Sequence, residues 1–251
     1  MPTHFSMNSF QGKQILALVR DGDFAHAGEE EAIERALQEV PKDPNQQILD
    51  AGCGRGGTAA YMQYHNWGRV TGIDVEPKSF AHACEAYPDL TFIRCDINEV
   101  AMHLRRFFDV ITLFNVLYAL PDHAAGLRAL ASRAKSKTRL VIFDYVDLGN
   151  YQDVPLVDTG RPFLPKPLML AELSETLEKG GWRLHSAKDL NHDYERWYVA
   201  LVSKIKAKRD AIEKSAGRDA FEHVLGLYSG LLSAIREGRL GGAVIYGEKS
   251  D

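Results

Sequence analysis

Ile48-Leu49-Asp50-Ala51-Gly52-Cys53-Gly54-Arg55-Gly56-Gly57 joins a short apolar run directly to a cluster of glycines. A helix is expected to follow, over Gly57 to His65. A strand that ends in glycines and leads into a helix lets a ligand approach the backbone, because no side chain stands in its way. The first turn of that helix offers N–H groups without partners. Gly52, Gly54 and Gly57 also satisfy GxGxxG, a spacing shared with dinucleotide sites and weak evidence by itself.

The flanking sequence repeats the strand–helix rhythm. Val70–Asp74, Leu90–Arg94, Phe108–Phe114 and Arg139–Asp144 are short, β-branched and nearly continuous in apolar character, as strands buried on both faces of a parallel sheet are. Between them Lys78–Tyr87 and His123–Ala134 read as helices. The expected fold class is α/β, a doubly wound, mostly parallel sheet. Two helices, Ser9–Asp21 and Gly28–Val40, precede it. After Tyr145 the alternation stops. Gly149–Leu168 holds Pro155, Pro162, Pro165 and Pro167 and reads as a long loop or lid rather than a packed element. Then come a helix over Leu170–Lys179 stopped by Gly180-Gly181, a strand over Trp182–Leu190, helices over Tyr194–Glu213 and Arg218–Glu237, and a last strand over Ala243–Glu248.

An acid closes each of three successive predicted strands: Asp50 just ahead of the glycines, Asp74 about 20 residues beyond the turn, and Asp96 after the third strand. A carboxylate at Asp50 repels a pyrophosphate and suits a ligand with a cationic end. Asp74 stands where an acid accepts hydrogen bonds from ribose hydroxyls. Asp96 can accept from an exocyclic amine.

Composition narrows the class. Of 251 residues, 45% are hydrophobic and 25% charged, an ordinary globular balance. The net charge of −4 offers no general attraction to a phosphate backbone, so no nucleic-acid partner is expected. No stretch approaches the roughly 20 apolar residues of a membrane span. Cys53, Cys84 and Cys95 cannot all pair and show no CxxC spacing, which fits reduced thiols and a cytoplasmic address. His103, His123, His185, His192 and His223 are scattered without ligand spacing, and no metal site is expected.

These stretches, with Arg94-Cys95-Asp96-Ile97 and Phe108 to Tyr118, resemble the class I S-adenosylmethionine (SAM)-dependent methyltransferases. The resemblance implies a Rossmann-like sheet of seven strands whose late strand, here Val244-Ile245-Tyr246-Gly247, inserts antiparallel. It implies N-terminal helices (1–45) covering the cofactor site. It also implies a SAM-binding domain (46–251) with lid and helical insertions at about 147–170 and 191–240. The cofactor-binding set it implies is Asp50, Gly52, Cys53, Gly54, Asp74, Val75, Asp96, Ile97 and Asn115. The layout is most similar to the small-molecule branch that methylates amines such as phosphoethanolamine, sarcosine or dimethylglycine. The features that carry this are Gly22 to Gly28, Asp144-Tyr145, and a late helical lobe with Trp197 and Tyr198. Where phosphoethanolamine enzymes place an Asp and then a His after the fourth strand, this chain has Asn115 and Ala119.

Methyl transfer from a sulfonium asks the protein for alignment, exclusion of water and, where needed, a base. The expected catalytic residues are Tyr145, Asn115 and His26, with Tyr145 orienting the acceptor and His26 as a base over the site. Tyr118 and Asp144 are also expected near the acceptor, and Arg161 is either a solvated charge or an anion contact. The helically spaced Tyr194, Trp197 and Tyr198 read as core packing, with an aromatic cage for a methylated ammonium as the sharper alternative. The expected function is methylation of a small molecule, nitrogen favoured over oxygen, by a monomer or homodimer. The alternatives are an NAD(P)-dependent oxidoreductase and a SAM-binding protein without transferase activity.

Overall fold

The computed structural model describes residues 5–250. In chain order the strands are β1 (Gln47–Ala51), β2 (Arg69–Asp74), β3 (Thr91–Arg94), β4 (Phe108–Phe114), β5 (Ala134–Asp147), the two-residue β6 (Val157–Asp158) and β7 (Arg161–Pro162), β8 (Trp182–Asp189) and β9 (Leu240–Lys249). The helices are α1 (Phe10–Arg20), α2 (Glu29–Leu37), α3 (Gly57–Tyr64), α4 (Pro77–Ala86), α5 (Val100–His103), α6 (His123–Ala131), α7 (Leu173–Lys179), α8 (Asn191–Ala207), α9 (Arg209–Ala216) and α10 (Arg218–Arg236).

Seven strands form one sheet in the order β3-β2-β1-β4-β5-β9-β8, and β6-β7 is a separate ribbon. The strands from β1 to β5 pair in parallel, whereas β9 is antiparallel to both β5 and β8. Chain order reverses between β1 and β4, which opens a crevice at the carboxyl ends of these strands.

Side chains alternate across the sheet, so burial of both faces explains the unbroken apolar run of Leu140–Phe143 in β5. On β5, Val141, Phe143 and Tyr145 face one core while Leu140, Ile142 and Val146 face the other. The first core is closed by α1, α2, α3, α8 and α10, the second by α5, α6 and α7. Tyr145 and Asp144 therefore point to opposite faces. At ~1.5–3 kcal/mol for each fully buried large apolar side chain, this two-sided burial is the main stabilising force.

Three expectations change. The helix read over Tyr194–Glu213 is two helices, because Lys208 leaves helical geometry and turns its Nζ to Asp21 at 2.7 Å. β5 is longer than its apolar run, since pairing with β9 carries it through Asp147. The proline-rich segment is packed rather than a free lid: Tyr151, Phe163, Leu164 and Leu168 are buried, and Leu168 N–H donates to Tyr145 O at 2.9 Å. Proline removes backbone donors, but the apolar residues between the prolines still anchor the segment.

Gly242 on β9 lies against the ring of buried Tyr194, and a Cβ there would collide with it. Gly242→Ala is expected to cost about 1–3 kcal/mol by overpacking, read as a lower midpoint in equilibrium urea unfolding. An unchanged midpoint would mean that Tyr194 yields freely.

Candidate active site

A cavity of about 550 Å³ opens at the carboxyl ends of β1, β2, β4 and β5, within the usual ~300–1,000 Å³ of small-molecule sites. Gly52, Gly54, Asp74, Val75, Asp96, Ile97, Asn115 and Tyr145 all line it, so most of the residues singled out in the sequence meet in one place.

The glycine turn is shaped by the sheet edge. Gly52 and Cys53 both donate to Ile73 O, at 2.8 and 2.9 Å, which ties the turn to the end of β2. Gly52 has φ +80°, and a Cβ on it would press on Val116 at 2.5 Å. Gly54 has φ +56°, and a Cβ there would stand in the cavity with only Lys13 Nζ near, at 3.9 Å. Gly54 N–H donates to Asp74 Oδ2 at 2.7 Å, and Glu76 N–H donates to Asp74 Oδ1 at 2.8 Å. The Asp74 carboxylate is thus held rigidly at the cavity wall. Asp96 caps the short turn after β3 by accepting from Asn98 N–H at 2.8 Å.

Asp50 lies behind this wall and does not line the cavity. It is 1% exposed, accepts from Thr112 Oγ1 at 3.0 Å and leaves Oδ2 without a partner. Burial pushes its carboxyl up to about 7, with the nearby charge of Asp74 adding to the shift. The side chain of Cys53 is buried outside the cavity and burial holds its thiol protonated, so Cys53 shapes the turn through its backbone.

Asn115 has φ +54°, and its amide nitrogen and oxygen are buried without hydrogen-bond partners among the described residues. Beyond it the cavity is aromatic. Tyr118 meets Tyr145 edge-on at 5.3 Å, Phe163 meets Tyr228 edge-on at 6.2 Å, and Tyr228 stacks with Tyr198 at 6.3 Å. The Tyr145 hydroxyl contacts that of Tyr198, and Tyr118 donates to Asn8 Oδ1 at 3.2 Å. Burial pushes the phenols of Tyr118, Tyr145 and Tyr228 far up, and that of Tyr198 to about 12. None is an ionised base near neutrality.

His26 is the main correction. It is 2% exposed beneath the site, outside the cavity lining, with Nε2 3.0 Å from Thr58 Oγ1 and its ring against Phe114 and Phe143. Burial and the charge of Arg20 push it down to about 3, so it is a neutral core histidine. Asp144 also leaves the acceptor side: it accepts backbone N–H groups from Val116, Leu117, Tyr118 and Tyr145 and anchors the loop after β4. Trp197 and Tyr194 pack on Phe143, and Arg161 is exposed on β7.

Two charged links at the site escaped the sequence reading, as did the lining residues Asn8, Glu76, Phe163 and Tyr228. Lys13 on α1 reaches Asp74 Oδ2 at 3.6 Å and lines the cavity. Asp23 accepts from Arg55 Nε at 2.6 Å and Tyr87 OH at 3.0 Å and meets His82 Nε2 at 2.9 Å, clamping residues 22–28 onto the glycine turn. Neither carried a local signal, because each acquires its partners only through long-range packing. Among the described residues no group of three His, Cys, Asp or Glu side chains is placed to hold a metal, and no helix is long and apolar enough to cross a membrane.

The sheet order with its antiparallel late strand, together with a glycine turn and acid-lined crevice, is the layout of a class I methyltransferase. A family model described as "Methyltransferase domain" matches residues 24–203, and the chain belongs to that family. A trans-aconitate 2-methyltransferase of Escherichia fergusonii is 36% identical over 89 residues, 35% of this chain and 34% of that protein. A ubiquinone biosynthesis O-methyltransferase of Albidiferax ferrireducens is 37% identical over 95 residues, 36% of this chain and 37% of that protein. The chain thus spans about a third of the length of the curated relatives it matches. The structure of Haemonchus contortus phosphoethanolamine N-methyltransferase 2 with phosphomonomethylethanolamine and S-adenosylhomocysteine superposes with TM-score 0.82 at 15% identity, covering 96% of this chain and 58% of that one.

The cofactor of this methyltransferase class is SAM, and the NAD(P)-dependent alternative is set aside by the family match. The residues present fit the group. Gly54 leaves room against the backbone, Asp74 is a fixed acceptor, and the unpartnered oxygen of Asp50 provides negative potential behind the turn. A cationic ligand end is favoured by an ionised Asp50, so its affinity is complete above the Asp50 pKa and lost below it. Calorimetric affinity for S-adenosylhomocysteine is therefore expected to be steady in mild alkali and to weaken as pH falls through about 7. Asp50→Asn is expected to flatten that profile. Asp74→Ala is expected to weaken binding about ten- to hundredfold, for ~1.5–3 kcal/mol of charge-assisted hydrogen bonding, and Gly54→Val to abolish it. Wild-type affinity in both of these variants would refute the assignment.

Proposed function

We propose that this chain transfers the methyl group of SAM to a small-molecule acceptor, and that the acceptor atom is a nitrogen rather than an oxygen. The observation that carries this reading is that, among the described residues, none lining the aromatic end of the cavity is a base. Tyr118, Tyr145, Tyr228, Phe163, Phe114 and Asn8 stand there, and every lining carboxylate (Asp74, Glu76 and Asp96) belongs to the β2 and β3 end. A neutral amine needs no base to attack, whereas an alcohol or phenol does.

In this proposal Asp74 accepts from the ribose hydroxyls, and Asp96 with Ile97 and Val75 frames the adenine. The turn backbone and Asn115 hold the amino-acid end. When bound, SAM supplies an electrophilic methyl group on a sulfonium. Tyr145, fixed by Tyr198, orients the acceptor nitrogen, whose lone pair forms the new bond as the sulfur–methyl bond breaks, and the spare proton leaves to solvent. The N-terminal helices, through Met7, Lys13 and Leu16, exclude water from the crevice. One relative named above is an O-methyltransferase by name and another is named for trans-aconitate, a carboxylic acid, and a carboxylate oxygen also attacks without a base. Carboxyl methylation is the second reading.

The test is methyl transfer from labelled SAM to sarcosine, dimethylglycine, phosphoethanolamine and trans-aconitate. Label on an amine supports the reading, and label on trans-aconitate alone replaces nitrogen by carboxylate oxygen. S-adenosylhomocysteine binding without transfer to any of them favours a binding protein without turnover. With an amine acceptor and SAM held saturating, so that the Asp50 dependence of cofactor binding does not enter, kcat/KM for the acceptor is expected to rise about tenfold per pH unit up to the acceptor's own pKa. Tyr145→Phe is expected to lower kcat and leave that profile in place.

A further inference from the structure

Lys13 stands in the first turn of α1, which Ser9 caps by accepting from Gly12 N–H at 3.3 Å. Met7 donates its N–H to buried Asp158 at 2.8 Å and so anchors the chain just ahead of the helix. Gly12 makes that fit possible, because a Cβ there would collide with the Met7 backbone. Ile15, Leu16 and Val19 then bury the inner face of α1 in the core. The helix is thus held over the crevice from both ends.

Lys13 is the one lysine or arginine among the described residues that line the cavity. Its Nζ lies 3.6 Å from Asp74 Oδ2 and 3.9 Å from the point where a Cβ on Gly54 would enter the cavity. The first distance makes an ion pair but exceeds a hydrogen bond, so the three N–H donors of the ammonium are not committed to Asp74. Both oxygens of Asp74 already accept backbone N–H groups, from Gly54 and Glu76. The charge of Lys13 is also felt at Cys53 in the turn and at Glu76 after β2.

Otherwise this end of the cavity is negative. Asp74 and Glu76 line it, and Asp50 lies buried behind the turn. Acids placed there suit the ammonium and sulfonium of SAM but repel its carboxylate. A cationic donor beside the turn offsets that repulsion.

We infer that Lys13 binds the carboxylate of the cofactor's amino-acid end, so that α1 recognises the cofactor as well as covering the crevice. The inference rests on the placement of that end at the glycine turn proposed above. It gives the two charges of one ligand end opposite partners: the ammonium is drawn toward Asp50 and the carboxylate toward Lys13. A lysine that only neutralised Asp74 would instead serve every adenosine ligand alike.

The test compares S-adenosylhomocysteine with its decarboxylated analogue, S-adenosyl-3-thiopropylamine, which keeps the adenosine, the sulfur and the amine. Calorimetric affinities are measured on the whole chain in mild alkali, where Asp50 is ionised. The parent is expected to bind S-adenosylhomocysteine about ten- to hundredfold more tightly than the analogue, the span of one charge-assisted hydrogen bond. Lys13→Met should close that gap by weakening S-adenosylhomocysteine alone, and the analogue's retained affinity certifies the fold of the variant. Lys13→Arg should keep part of the gap. No gap in the parent, or a gap of parental size in Lys13→Met, would overturn the inference. Equal weakening of both ligands in Lys13→Met would also overturn it, because Lys13 would then act through Asp74 or through the seat of α1. Gly54→Val binding S-adenosylhomocysteine as the parent does would refute the placement at the turn, whereas a gap that still closes in Lys13→Met would leave the carboxylate assigned to Lys13.

Discussion

One buried carboxylate holds the floor of the cavity in shape. Asp144 ends the apolar run of β5, is fully buried, and accepts N–H groups from Val116, Leu117 and Tyr118 as well as from Tyr145. Burial drives its carboxyl up to about 7 even against those donors. Without it the loop after β4 would leave three backbone donors unsatisfied, at ~1–3 kcal/mol each. Asn115 and Tyr118 both ride on that loop, and Tyr145 is the next residue along β5. Both aromatic walls of the site are therefore set by the same acid, which itself never reaches the cavity.

The roof is built from parts far apart in the chain. The N-terminal segment is tied down by Ser6 and Met7 donating to Asp158, and the same carboxylate meets His223 of α10. Lys13 adds an ion pair to Asp74 across the crevice. Each link joins a roof element either to another or to the sheet edge, so cofactor and acceptor sites share walls. Lys13 faces the acid proposed to take the ribose and stands one turn from Leu16, which also lines the cavity.

The sheet was legible because its evidence is local. Residues 48–50, 70–74, 108–114 and 139–144 carry continuous apolar runs, and the acids of the cofactor half stand at the ends of such runs, as Asp74 and Asp96 do. The acceptor half was read less well. His26 looked available as a base because a histidine before a helix carries no mark of burial, yet packing on Phe114 and Phe143 turned it into core. Asp144 was expected near the acceptor beside Tyr145, and the pleat of β5 sends the two to opposite faces. The proline-rich segment looked free because its prolines outweigh its anchors when read singly.

The chain by itself determined the class of fold, the glycine turn and the row of acids along the carboxyl edge. Each depends on spacing within a few residues of a strand or helix, and that spacing survives whatever packs around it. Only the tertiary structure decided which side chains meet beyond that edge. Lys13 on Asp74 and Tyr198 behind Tyr145 depend on helices α1 and α8 closing over one face, and Asp23 over the glycine turn depends on the segment between α1 and α2 meeting Arg55, His82 and Tyr87. No local pattern specifies those contacts, because they arise from burying apolar helix faces whose partners lie many tens of residues away.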